Sequence, residues 1–206
     1  MTDCFALLNE PRQPQIDLEA LKAKFHALSA EAHPDRFHNE SDSEKQVVNQ
    51  RFLQLNAAYK CLRRPQERLQ HLLELELGTK PDHVQQIPND AMNLFFEVGQ
   101  LCRDLDAFLR ERTEMTSPLL KVQAFERAME WMEKLKSLKL RITAQQDASI
   151  MELDSLNAVW LAAPAIGASN RRDALPLVRL EQIYRVVSFL SRWSEQIQER
   201  LVQMSL

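Results

Sequence analysis

The sequence predicts an all-α protein in two parts: a helical hairpin with short flanking helices, then an antiparallel three-helix bundle. Three observations carry that expectation. Only three glycines occur in 206 residues, too few for the hairpin turns and left-handed positions on which β-rich folds draw. Ala, Leu, Glu, Gln, Lys and Arg, which lose little on entering a helix, dominate the composition. Apolar residues recur at steps of three and four through most of the chain, the period of a helix with one buried face.

Taken in order, Asp3 to Asn9 reads as a short helical turn carrying Phe5, Leu7 and Leu8, closed by Pro11 and a loop at Pro14. Asp17 is an N-cap for a helix whose stripe is Leu18, Leu21, Phe25 and Leu28 and which is expected to end at His33. A polar loop from His38 to Asp42 follows, and the stripe resumes as Val48, Phe52, Leu55, Tyr59 and Leu62. Two such helices joined by a short loop make an antiparallel hairpin. Pro65 breaks the second and opens a further short helix through Leu69, Leu72 and Leu73.

Residues 78–88 hold one glycine, two prolines and mainly polar side chains, which places a linker there, between parts 1–77 and 89–206. Asn89 to Glu114 is expected to be helical, burying Leu94, Phe95, Val98, Leu101, Leu105 and Phe108. Ser117-Pro118 reads as N-cap and first residue of one very long helix or two in series. Its stripe is Val122, Phe125, Met129, Met132, Leu135, Leu138 and Ile142, continuing through Ile150, Leu153 and Leu156 to Trp160. Pro164 and Gly167 interrupt it, and a last helix is expected from Asp173 to about Val202. Trp131, Trp160 and Trp193 read as core or domain-interface residues.

The formal net charge of −3 carries no basic excess in either part, so nucleic acid is not an expected partner. Cys4, Cys61 and Cys102 are odd in number and form no C-x-x-C pair, which fits neither a disulfide framework nor a zinc site and leaves them as reduced thiols. No basic start followed by an apolar run and no apolar stretch of about 18 residues occurs, so a cytoplasmic protein without membrane attachment is expected. There is no glycine-rich phosphate loop, H-E-x-x-H or G-x-S-x-G, so nothing anchors an enzyme assignment or a cofactor. A metal site from His33, Asp35 and His38 would lack further ligand candidates, and Pro34 makes its spacing awkward.

The chemistry concentrates in His33-Pro34-Asp35-Arg36-Phe37, between the two hairpin helices. Proline lacks the amide hydrogen and pushes the preceding residue out of the α region, so an imidazole and a carboxylate are displayed on a stiff corner. With its flanks, the corner resembles that of the J domain, the module by which DnaJ-type co-chaperones engage a DnaK-type ATPase. Asn56-Ala57-Ala58-Tyr59, Leu62, Pro65 and Arg68 are similar to the N-x-A-Y-x-x-L-x-x-P-x-x-R ending of that module. An N-terminal J domain followed by a small helical bundle resembles the HscB-type co-chaperone of iron–sulfur cluster assembly.

The resemblance implies a partner, not a reaction: a co-chaperone that stimulates ATP hydrolysis by a DnaK-type chaperone and delivers a client, the iron–sulfur scaffold protein in the HscB type. It implies chaperone contacts from His33, Pro34 and Asp35, with Lys22, Lys24, His26 and Arg36 beside them. J domains usually carry a denser cationic face before the turn; Ala27 and Glu31 stand where lysine or arginine is common. It also implies client binding on the first bundle helix, by Phe95 and Phe96 with Arg103. Gly99, Gln100, Arg103 and Ala107 stand where acidic or larger apolar groups are expected, which leaves the client's identity open. The alternative is a J-like docking protein that stimulates no ATPase.

Overall fold

The computed structural model describes residues 2–37, 41–81, 87–88 and 91–205. His38, part of the metal trio weighed above, and residues 82–86 of the stretch read as a linker lie outside them. Eight α-helices and one 3-10 turn make up the described regular structure, with no strand among the described residues. The chain divides into two compact units: Met1–His83 with Ile150–Tyr184, and Val84–Ser149 with Arg185–Leu206.

In the first unit, α1 (Cys4–Leu7) is capped by the Asp3 carboxylate, which accepts from the amides of Phe5 and Ala6. Asp17 caps α2 (Leu18–Glu31) in the same way. α2 ends two residues before the expected His33: Ala32 closes it, and a 3-10 turn, Pro34–Phe37, carries the corner. α3 (Asp42–Arg63) begins with a capping box, Ser41 and Glu44 each satisfying the other's backbone amide. α4 (Pro65–Leu77) has Pro65 at its first turn and closes on Gly78, whose φ of 75° is the left-handed C-cap that glycine enters without a Cβ penalty. α3 packs on α1, α2, α4 and the 3-10 turn, burying Phe5, Leu21, Leu55, Leu62, Leu69 and Leu72 completely. Leu18, expected on the stripe, is exposed; it occupies the first helical position, a turn ahead of the buried face.

The signature ending of the hairpin turns out to be architectural. Tyr59 stacks on Phe25 with ring centroids 4.3 Å apart, the Asn56 amide donates to the Phe52 carbonyl, and Leu62 is buried. Arg68 is 1% exposed and donates to the carbonyls of Pro14 and Leu62 and to Oε1 of Gln15, at 2.9, 2.7 and 2.7 Å. It ties the loop before α2 to the α3–α4 junction. Asn157 holds the same loop from the far end of α6 (Pro118–Ala162), accepting from the Gln15 amide and donating to the Gln15 carbonyl at 3.0 and 2.8 Å. Arg171, in the short α7 (Arg171–Ala174), forms a two-pronged pair with Glu76 and donates to the Pro164 carbonyl. Both partners are nearly dry, and the carboxylate raises the Arg171 pKa above its ordinary value.

In the second unit, α5 (Met92–Glu114), the first part of α6 and the second part of α8 (Leu177–Ser205) form a three-helix bundle. Arg141 pairs with Glu97 and Arg127 with Glu111, so α5 and α6 run antiparallel. Lys139 reaches Gln198 and Gln146 reaches Ser191, so α6 and α8 do too. The core holds Leu94, Leu105, Leu135, Ile142, Leu190 and Ile197. Three sequence expectations shift. Val122, Phe125 and Met129 are exposed while Ala124 and Ala128 are buried: close helix approach favours the small residues one position away. Phe95 is 37% exposed, and Cys102 takes a core place. The last helix starts at Leu177 instead of Asp173, because Pro176 interrupts the ladder and sets off α7 as a separate turn. Trp160 and Trp193 are buried, and Trp131 is partly buried.

Candidate functional site

At the corner, the side chains of His33 and Asp35 are 47% and 90% exposed. The imidazole is held from both sides. Its Nδ1 accepts from the Asp35 amide at 3.3 Å and lies 3.6 Å from the Asp35 carboxylate, and its ring meets Phe52 of α3 edge-on at 5.6 Å. The Arg36 amide donates to the His33 carbonyl at 3.1 Å, closing the 3-10 turn, and the Arg36 guanidinium reaches back to the carbonyl of Ala30. A turn buttressed in this way holds its polar groups in place. Beside it, Phe37, Ser43, Glu44, Val47 and Val48 line a shallow cleft of about 350 Å³.

The cationic residues of α2 divide. Lys22 and His26, four residues apart, share one exposed face. Lys24 points to the other side, where its ammonium pairs with Glu10 at 2.9 Å and donates to the carbonyl of Asn9. Asn9 is the one described non-glycine residue at positive φ, 54°, so Lys24 clamps a left-handed turn. Glu10 is nearly buried, and Lys24 supplies the positive charge it needs.

In the bundle unit, Phe96 is 63% exposed with its ring tilted against Phe95 at 5.4 Å, while Phe95 leans on Trp193. Arg103, two turns on, bonds Gln100 at 2.7 Å, and Gln100 bonds Asp104. Phe96, Gly99 and Arg103 follow helical spacing; a Cβ at Gly99 would touch the Arg103 guanidinium at 3.4 Å. The resulting face is apolar at one end and polar at the other.

The cysteines are far apart in the sequence and suggest no metal site there, whereas the fold brings two of them together. Cys4, Cys61 and His71 come from α1, α3 and α4, and their ligand atoms lie within 4.8 Å of one another. His71 is buried, stacked on Phe5, and its Nε2 accepts the Cys4 amide at 3.0 Å. The Cys61 thiol holds the Cys4 pKa below its ordinary value; the same interaction, with burial, pushes Cys61 up. Separations of 57 and 10 residues form no local motif.

A helical hairpin displaying His-Pro-Asp at its corner, sealed by the Tyr59, Leu62, Pro65 and Arg68 ending, is a J domain, and here it occurs in a chain with a three-helix bundle. Comparison with known proteins narrows the class. The chain is 31% identical over 152 residues to an HscB co-chaperone homologue of Cupriavidus taiwanensis, covering 73% of this chain and 68% of that one. It is 44% identical over 73 residues to the homologue of Azoarcus; that match spans 35% of this chain and 41% of the relative. The solved HscB structures from Vibrio cholerae and human align over the whole chain with TM-scores of 0.60 and 0.63, at 22% and 19% identity, covering 100% and 84% of those chains. No protein-family profile matches. The chain belongs to the HscB co-chaperone family. Among the described residues, no helix is long and apolar enough to cross a membrane.

Proposed function

We propose that the chain binds the ATP state of a DnaK-type chaperone through the His33-Pro34-Asp35 corner and stimulates its ATP hydrolysis, while the second part, residues 89–206, delivers a client. The observation that carries this reading is the exposure of a braced corner: Asp35 is 90% exposed beside an imidazole fixed by Phe52 and the Asp35 amide. Asp35 supplies a charge-assisted hydrogen bond to a basic group of the chaperone and His33 a second polar contact. Lys22, His26 and Arg36 steer the encounter. Because the corner fits one chaperone conformation better than another, binding shifts the population toward the hydrolysing state.

The client surface is Phe96 with Phe95 and Arg103, and the family points to the iron–sulfur scaffold protein as client and the cytoplasm as the place of work. The docking-only alternative draws on one observation, the engagement of Lys24 with Glu10 and Asn9, which removes a cation from an already thin face.

Single-turnover ATP hydrolysis by the organism's DnaK-type chaperones separates the two. Wild type is expected to accelerate it and His33→Gln to lose most of that acceleration; binding without any change in rate would favour docking alone. Pull-down with wild type and Phe96→Ser tests the client face. Retention of the same proteins by both would remove Phe96 from it.

A further inference from the structure

We propose that Cys4, Cys61 and His71 form a binding site for a thiophilic cation of the Zn²⁺ class. Two sulfurs and one imidazole are the ligand types such an ion selects. Their ligand atoms lie within 4.8 Å of one another. Around a tetrahedral ion with Zn–S of about 2.3 Å and Zn–N of about 2.0 Å, neighbouring ligand atoms sit about 3.5–3.8 Å apart. The trio therefore closes on an ion by small rotations of two thiols.

The imidazole already faces the cluster. His71 is buried and stacked on Phe5, and its Nε2 lone pair already points into the cluster, where it accepts the Cys4 amide at 3.0 Å. That amide is one of the N-terminal donors of α1; with an ion bound, the lone pair turns to the metal and the amide to water. The Cys61 thiol's bond to the Glu67 carbonyl is a long 3.7 Å, so only a weak contact is given up when the sulfur turns to an ion. Three protein ligands leave one position for water or an exogenous donor, the pattern of an open site.

Occupancy would fasten α1 to α3 and α4. Phe52, which braces the corner, lies nine residues from Cys61 along α3, about 13 Å of helix rise. Ion binding is thus independent of the docking reading, and either can fail alone.

The test uses the full reduced chain, titrated first with Co²⁺ as a spectroscopic probe and then with Zn²⁺. One equivalent of Co²⁺ is expected to give thiolate charge-transfer and tetrahedral ligand-field bands. Zn²⁺ is expected to displace them and raise the unfolding temperature. Cys4→Ser and Cys61→Ser should abolish the bands with far-ultraviolet circular dichroism unchanged, and Cys102→Ser should keep them. In wild type, Zn²⁺ should protect Cys4 and Cys61 from alkylation, mapped by mass spectrometry, which needs no variant to fold. Absence of thiolate bands in wild type, bands that survive Cys61→Ser, or alkylation of Cys4 and Cys61 indifferent to Zn²⁺ would overturn the assignment.

Discussion

Replacing Arg68 by Met asks what the last residue of the hairpin signature does. Methionine keeps an unbranched stem of similar length and removes three hydrogen bonds, to Pro14, Leu62 and Gln15. A hydrogen bond with a charged donor contributes about 1.5–3 kcal/mol net of desolvation, and three made by one side chain do not add in full. Burial holds the Arg68 pKa below its ordinary value, at about 10, so the charge depends on these three acceptors for its place in the core. The net expectation is a destabilisation of about 3 kcal/mol, a large share of the roughly 5–15 kcal/mol available to a domain. Urea unfolding followed by circular dichroism should show the midpoint falling by about 1.5 M, taking a slope near 2 kcal/mol per molar. A loss under about 1 kcal/mol at unchanged slope would refute the view that Arg68 ties the loop to the hairpin.

Asn157→Leu removes both hydrogen bonds to Gln15 and is expected to cost about 2 kcal/mol, read from the same unfolding curves. Ser41→Ala removes the capping box of α3 and should cost about 1 kcal/mol. The Ser41 hydroxyl and amide hold the Glu44 pKa below its ordinary value, so the box stabilises fully above the usual carboxylate range and weakens as pH falls through the depressed pKa. Wild type should therefore lose more stability on acidification than Glu44→Gln, as thermal unfolding across pH would show. Glu76→Gln, which leaves Arg171 without its carboxylate in a dry setting, is expected to cost about 3 kcal/mol by thermal unfolding.

What was legible in the sequence was whatever acts locally. Asp17 as a cap and Pro65 as a first-turn residue follow from backbone chemistry that neighbours alone impose, and the helical stripes mark the hairpin core. The misreadings have local causes too. Reading apolar bulk as burial put Val122, Phe125 and Met129 inside, whereas Ala124 and Ala128 face the neighbouring helices because a close approach selects for small size. Pro176, passed over inside an apolar run, separates α7 from α8. The corner residues could be named because a proline enforces their display. The division of Lys22 from Lys24 depended on a partner, Glu10, fourteen residues upstream. The Cys4, Cys61 and His71 cluster and the hold of Asn157 on Gln15 arise from packing between distant segments, which a single sequence does not encode in any spacing.

A docking corner requires Asp35 to act outward, on a partner, and not inward, on its own fold. Single-turnover ATP hydrolysis with Asp35→Asn, its unfolding midpoint measured on the same preparation, separates these roles. With the side chain 90% exposed, stability should change by no more than about 0.5 kcal/mol. Loss of one charge-assisted bond, about 2 kcal/mol, should weaken stimulation roughly thirtyfold at limiting concentration. Full stimulation by Asp35→Asn, or a loss matched by a fall in stability, would contradict it.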